Sequence, residues 1–160
     1  MATWLNDGLL RKFGPDRTIP QAGGEYRTVA ELREIEVKID LTKLTETETV
    51  LSDTIFFPKG MKIEQIDIFV DTAAATGTAI DVGLVKTDRT TEIDYDGFLA
   101  AFVTATMTAG AKITLAKGGT QAGALVGGTT SSVGYITASR TSATAFTAGS
   151  IRVRIRYSRA

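Results

Sequence analysis

A chain of 160 residues is the length of one domain and is long enough to bury a core without cross-links. It balances 18 Lys+Arg against 18 Asp+Glu and contains no His and no Cys. That excludes disulfides, thiolate metal sites, histidine acid–base catalysis and the usual activated nucleophile pairs, argues against a dedicated nucleic-acid binder, and favours self-association.

Residues 1–33 stand apart from the rest. Trp4, Leu5, Leu9, Leu10 and Phe13 are large apolar groups, interrupted by Asn6-Asp7-Gly8 and followed by Gly14-Pro15, Ile19-Pro20 and Gly23-Gly24. These breakers leave neither a helical nor a strand period. The segment either drapes over its own domain or forms an extended arm that docks on a partner through those five apolar residues. Met1–Gly8 has no basic n-region, and no apolar run approaches the roughly 18 residues of a membrane span. A soluble, cytoplasmically made protein with no signal peptide and no membrane partner is expected.

A β-sandwich domain is expected over residues 34–160. Ile35, Val37, Ile39 and Leu41 alternate with Glu34, Glu36, Lys38 and Asp40, the pattern of a half-buried strand. A second strand is predicted over Val50–Phe57, ended by Pro58-Lys59-Gly60, and a third over Ile63–Asp71 with Ile66, Ile68 and Val70 inward. Ala73–Gly77 reads as a loop of small residues. The fourth strand turns Ile80, Val82 and Leu84 inward and Asp81 and Gly83 outward. Asp94-Tyr95-Asp96-Gly97 reads as a turn, and Phe98, Leu99, Phe102 and Val103 then fall at helical spacing, predicting one short helix. Lys112–Ala116 is a brief strand, Val133–Ser139 and Ala145–Thr147 are weaker β segments, and the paired glycines 118–119 and 127–128 mark loops.

The last strand carries the strongest pattern. Ile151, Val153, Ile155 and Tyr157 lie on one face and Arg152, Arg154 and Arg156 on the other. A strand buried on both faces would not carry three arginines, so its sheet is antiparallel or it lies at an edge. Glu34, Glu36 and Asp40 offer the matching outward charges on the first strand. Cross-strand pairs of opposite charge favour the two strands as neighbours; the alternative is that both faces are simply solvated. Many short strands with Gly-rich turns define an all-β fold, an antiparallel sandwich of jelly-roll type.

Chemistry-bearing clusters are sparse. Asp88, Glu92, Asp94 and Asp96 lie close together, and Asp94-x-Asp96-Gly97 is a fragment of a calcium loop. A full loop needs further ligand positions and a closing Glu, so a solvated turn without metal is the expectation. Neither glycine pair has the Lys-Ser/Thr ending of a phosphate loop, so no cofactor is expected. The arginine strand is read as paired with acids of its own chain, with a phosphate or a carboxylate-rich partner as the alternative. No nucleophile, base and orienter come together, which leaves a carboxylate hydrolase unsupported and a non-enzymatic protein expected.

Ile80-Asp81-Val82-Gly83-Leu84, Asp94-Tyr95-Asp96-Gly97-Phe98-Leu99, Thr108-Ala109-Gly110, Gly134-Tyr135-Ile136-Thr137 and Ala148-Gly149-Ser150-Ile151-Arg152-Val153 follow one another in an order that resembles the capsid decoration or cement proteins of tailed bacteriophages. The resemblance covers roughly the C-terminal half, by motif matching. It implies a β-sandwich on the capsid exterior of the virion, a homo-oligomer, commonly a trimer, with the major capsid protein as partner and no catalytic residues. Residues 1–33 depart from that pattern and leave shell, neck and tail positions open. The competing reading is a tail or fibre sandwich that binds host-surface carbohydrate, for which Trp4, Tyr95 and Tyr135 are the candidate aromatic platform.

Overall fold

The computed structural model describes residues 32–51, 56–103 and 107–160. Among these residues nine strands follow in order: β1 (Arg33–Asp40), β2 (Thr49–Val50), β3 (Phe56–Phe57), β4 (Met61–Thr76), β5 (Ala79–Lys86), β6 (Glu92–Val103), β7 (Lys112–Leu115), β8 (Gly134–Arg140) and β9 (Phe146–Arg159). A single 3₁₀ turn, Leu41–Lys43, follows β1, and the Asp40 carboxylate caps it by accepting from the Thr42 amide. The strands form two antiparallel sheets, ordered β1-β9-β4-β7 and β2-β8-β5-β6, with β3 also pairing with β8. The molecule is therefore an antiparallel β-sandwich.

Each sheet turns one apolar face inward, as strand alternation requires. Ile39, Ile63, Ile66, Ile68, Ile151, Val153 and Ile155 from one sheet meet Val82, Leu84, Phe98, Leu99, Phe102 and Ile136 from the other, all buried. Phe57 packs at a tilt against Phe98 and Tyr157, at ring distances of 5.4 and 5.0 Å. The predicted neighbours are neighbours: β1 pairs with β9 over its full length, with Glu34 opposite Arg156 and Glu36 opposite Arg154.

Several sequence expectations are corrected. Asp94–Gly97 is not a turn and Phe98–Val103 is not a helix; both lie within β6. Val82 pairs with Leu99 and Ile80 with Phe102, so β6 spends one residue more than β5 over this stretch. That is a β-bulge, with Ala101 at φ 45°. The extra residue places Leu99 and Phe102 three apart on one strand face, the spacing that imitates a helix. The Asp81 carboxylate accepts from the Ala101 amide at 2.6 Å and so holds the bulge.

The predicted strand Val50–Phe57 is two short strands, β2 and β3, on the same partner, and residues 52–55 between them lie outside the described residues. Residues 73–76, expected as a loop, extend β4, where Ala75 pairs with Ala148. Gly83, read as facing outward, does not reach solvent. It is buried instead, because the backbone of Asp94 and Tyr95 crosses directly above it.

Residues 119–130 stitch the sheets together at one end. Gln121 O accepts from the Ala100 amide, while the amides of Gly123 and Leu125 donate to Phe98 O and Gly97 O along β6. The same segment then bonds to β4 through Gly127 N to Ile63 O and Ile63 N to Gly128 O, at 2.7 and 3.0 Å. Gly123 lies so close to β6 that a Cβ there would sit 2.0 Å from the Asp96 carbonyl oxygen.

Candidate functional site

Three arginines of β9, Arg152, Arg154 and Arg156, project from the outer face of the four-stranded sheet. They do not stand free there. Arg152 grips Asp71 with contacts of 2.9–3.1 Å and reaches Glu36 at 3.6 Å. Arg154 pairs with Glu36 at 2.9 Å and with Glu34 at 3.9 Å. Arg156 lies between Glu34 at 3.9 Å and Asp67 at 3.2 Å, and Lys112 closes the row on Asp67 at 3.3 Å. The result is a ladder in which acids and bases alternate across β1, β9, β4 and β7. Phe69 lies beneath it, with Arg154, Arg152 and Lys112 at 4.9, 5.3 and 5.5 Å from its ring centre. Hydrogen bonding by Arg152 lowers the Asp71 carboxyl and raises the guanidinium in return. A face whose cations already hold carboxylates of their own chain has little charge left for a phosphate or an acidic partner.

Asp67 anchors the ladder. Its side chain is 0% exposed. Oδ1 accepts from Gln65 and Thr114 at 2.7 Å each, and Oδ2 makes its two ion-pair contacts without well-aligned hydrogen bonds. Burial pushes this carboxyl up, and the bonds from Thr114, Gln65 and Lys112 more than offset it, so it stays below the usual range.

The outer face of the five-stranded sheet has different chemistry. Glu48 lies over β8 and accepts from Ser139 Oγ at 2.7 Å, and burial raises its carboxyl. Burial also raises Asp81. Asp94 is pushed up to about 6, by burial first and then by its hydrogen bond and like charge with Asp96.

The acids singled out in the sequence separate into different roles. Asp88 serves its own turn, accepting from the Thr90 and Thr91 amides at 2.9 and 2.8 Å, and the Thr91 hydroxyl draws it down to about 2. Asp94 and Asp96 belong to β6. Among the described residues no group of three or more acids is placed to hold a metal ion.

The aromatic candidates fare differently from one another. Trp4 and the other proposed docking residues, Leu5, Leu9, Leu10 and Phe13, lie outside the described residues. The Tyr95 hydroxyl points back to Thr90 O at 3.4 Å. Tyr135 is covered, with the Phe56 ring 4.9 Å away and the Arg89 guanidinium 5.3 Å from its centre. The exposed aromatic at this place is Phe56, which sequence reasoning missed. In a Phe-Phe pair on a strand one ring must face out, and the sequence does not say which.

No protein-family model matches the chain, and no curated protein matches it. Two solved structures contain chains of similar fold. A chain from the capsid of Ralstonia phage GP4 aligns over 87% of this chain and 92% of its own, with TM-score 0.55 and 13% identity. A chain from the cyanophage Pam1 capsid asymmetric unit aligns over 91% and 97%, with TM-score 0.49 and 14% identity. At these identities the likeness is one of fold. The protein is thus of the antiparallel β-sandwich class, and its fold is that of a chain from a phage capsid.

Proposed function

We propose that the protein is a non-enzymatic structural protein of a phage virion that decorates or cements the capsid by bridging neighbouring capsid subunits. The observation that carries this reading is the fold likeness to a chain of the GP4 capsid over nearly the whole length of both. The nested pairing of β5 with β6, β4 with β7, β2 with β8 and β1 with β9 supports a jelly-roll winding. The charge ladder supports a scaffold role, since it spends its charged groups on holding one sheet together.

In this reading residues 34–160 form the sandwich, residues 1–33 form the arm, and Trp4, Leu5, Leu9, Leu10 and Phe13 are the docking residues. Large apolar groups among chain breakers are costly to leave in water and find cover on a partner. The working unit is a symmetric trimer on the capsid exterior, with the major capsid protein beneath it. Zero net charge lets identical copies pack without repulsion, and weak contacts at several arms sum by avidity. Light scattering tests the oligomer. Adding the protein to shells that lack it tests the clamp, with raised heat resistance as the expected result. A monomer that neither binds nor protects such shells would refute the reading and favour a carbohydrate-binding tail sandwich.

A further inference from the structure

The two outer faces of the sandwich treat their acids differently. On the four-stranded sheet Glu34, Glu36, Asp67 and Asp71 each hold an arginine or a lysine of the same chain. On the five-stranded sheet Glu48, Asp81, Asp94 and Asp96 form no ion pair among the described residues. The charges that act on them are of their own sign: Asp81 and Glu92 on Glu48, Asp96 on Asp81, and Asp96 and Glu92 on Asp94. Arg140, the cation of β8, is committed to Glu46 at 3.4 Å and to the Ser142 and Ala143 carbonyls. Lys86 and Arg89 lie at the other end of β5, five and eight residues from Asp81.

The fold gathers these acids. Glu48 stands immediately before β2 and accepts from the Ser139 hydroxyl at 2.7 Å, and Ser139 pairs with Asp81 across β8 and β5. Asp94 and Asp96 arrive by an excursion of β6. Between the pairs Leu84–Asp94 and Val82–Leu99, β6 spends five residues against two of β5, and its backbone at Asp94 and Tyr95 crosses above Gly83. Opposite Gly83 on β8 is Thr137, which is fully buried. The Thr137 hydroxyl bears on the Glu48 carboxyl, yet Thr137 Oγ1 and Glu48 Oε2 are both buried without a hydrogen-bond partner. Unpaired buried polar atoms are costly, and a further donor at this place relieves them.

We propose that this face is a docking surface for a basic partner protein, with an arginine or lysine side chain seated between Glu48 and the Asp94–Asp96 pair. The occupant follows from the charge. Like charges held together in partly buried positions repel, and a cation from outside offsets that repulsion. Among the described residues no three acids converge on a metal ion, so the fitting cation is an extended one with several N–H donors. The Glu48 side chain is half-buried and the last torsion of a Glu is soft, so its unpaired oxygen can turn to an arriving donor without movement of the strand. Asp96 and Glu92 are exposed and form the rim that a partner meets first. The inference rests on the reading of the chain as a bridge between subunits, and it names a face and the chemistry that face would meet.

The probe is an acetylated, amidated tetra-arginine peptide, titrated calorimetrically into the purified full chain at low salt and pH 6, in two buffers of different ionisation enthalpy. Burial raises Glu48, Asp81 and Asp94, the last to about 6, so wild type should bind the peptide with release of protons, and added salt should weaken binding steeply. Glu48→Gln keeps an acceptor for Ser139, and Asp96→Asn changes an exposed side chain, so both should fold. Together they should weaken binding by about tenfold or more. Glu34→Gln, the same loss of charge on the opposite face, should leave it within about twofold. Equal weakening by Glu34→Gln would reduce the effect to overall charge and overturn the site. So would a wild type that takes up protons near pH 6 but binds no peptide. Shells extend the test. Wild type and the double variant binding shells equally would overturn the docking face and leave the cement reading standing. Peptide binding that needs Glu48 and Asp96, with no binding to shells, would support the face and count against the cement reading.

Discussion

Replacing Asp67 separates the charge from the hydrogen bonds that hold the outer face of the four-stranded sheet. In Asp67→Asn an oxygen is still able to accept from Gln65 and Thr114, while an NH₂ faces Lys112 and Arg156 at the distances the carboxylate now holds, 3.3 and 3.2 Å. Both cations are partly exposed, so each lost pair is discounted to about 1 kcal/mol, or about 2 kcal/mol together. Asp67→Ala also removes the acceptor for two neutral donors, and because Thr114 is exposed and rehydrates, the total rises only to about 3 kcal/mol. Urea denaturation at pH 7 measures both, with an unchanged m-value as the control that the native state is intact. The pH dependence has a definite sign. A carboxyl held below its unfolded value contributes stability above that value, near pH 4, and loses it as the pH falls through the folded one. The gap between wild type and Asp67→Asn should therefore be constant from pH 5 to 7 and narrow below pH 4. An Asn variant within 0.5 kcal/mol of wild type would show that the desolvation of Asp67 cancels its pairs, and the ladder would then add nothing to stability.

Val153→Asp places a charge on the core face of β9 and should cost several kcal/mol or prevent folding, whereas Arg154→Ser loses only partly exposed pairs and a contact with Phe69 and should cost about 1 kcal/mol or less; chemical denaturation that reversed the two would refute the register. Gly83→Ala puts a Cβ 2.0 Å from the Asp94 carbonyl oxygen, and because that atom is backbone in a paired strand, the change should cost about 3 kcal/mol; a normal melting temperature would show that β6 is free to move off β5. Asp94, raised to about 6, binds its proton more tightly folded than unfolded, so wild type should gain stability as the pH falls from about 6 towards 4, by about 1 kcal/mol after screening; Asp94→Asn should remove that component of the slope, with Glu48 and Asp81 left to act in the same direction. A variant beginning near Thr28 should stay folded by circular dichroism and lose shell binding; loss of folding would make residues 1–27 part of the core.

What was legible in this sequence depended on whether a strand follows the period of two without interruption. β1 and the Ser150–Tyr157 part of β9 do, and their alternating residues disclosed both the apolar face and, through opposite charges, the pairing of the two strands. β6 does not. Its bulge at Ala101 shifts the period by one, so Leu99 and Phe102 share a face at a spacing that a sequence reader assigns to a helix. The end of β4 failed for another reason: Ala73, Ala74 and Ala75 are three small residues in a row, one exposed and two half-buried, and a run of one residue type leaves no periodic signal. Asp67 was invisible because an acid at an outward strand position looks solvated; only the neighbouring strands show that Arg156, Lys112 and Thr114 close over it. The exposed Phe56 ring was hidden likewise, since exposure of one ring in Phe56-Phe57 is settled by which of them meets Phe98 and Tyr157. These cases share a cause. Position along a strand is written in the local sequence, but what covers the outer face of a sheet is decided by residues far away in the chain. The surfaces on which a decorating protein would work are therefore the part that only the folded chain discloses.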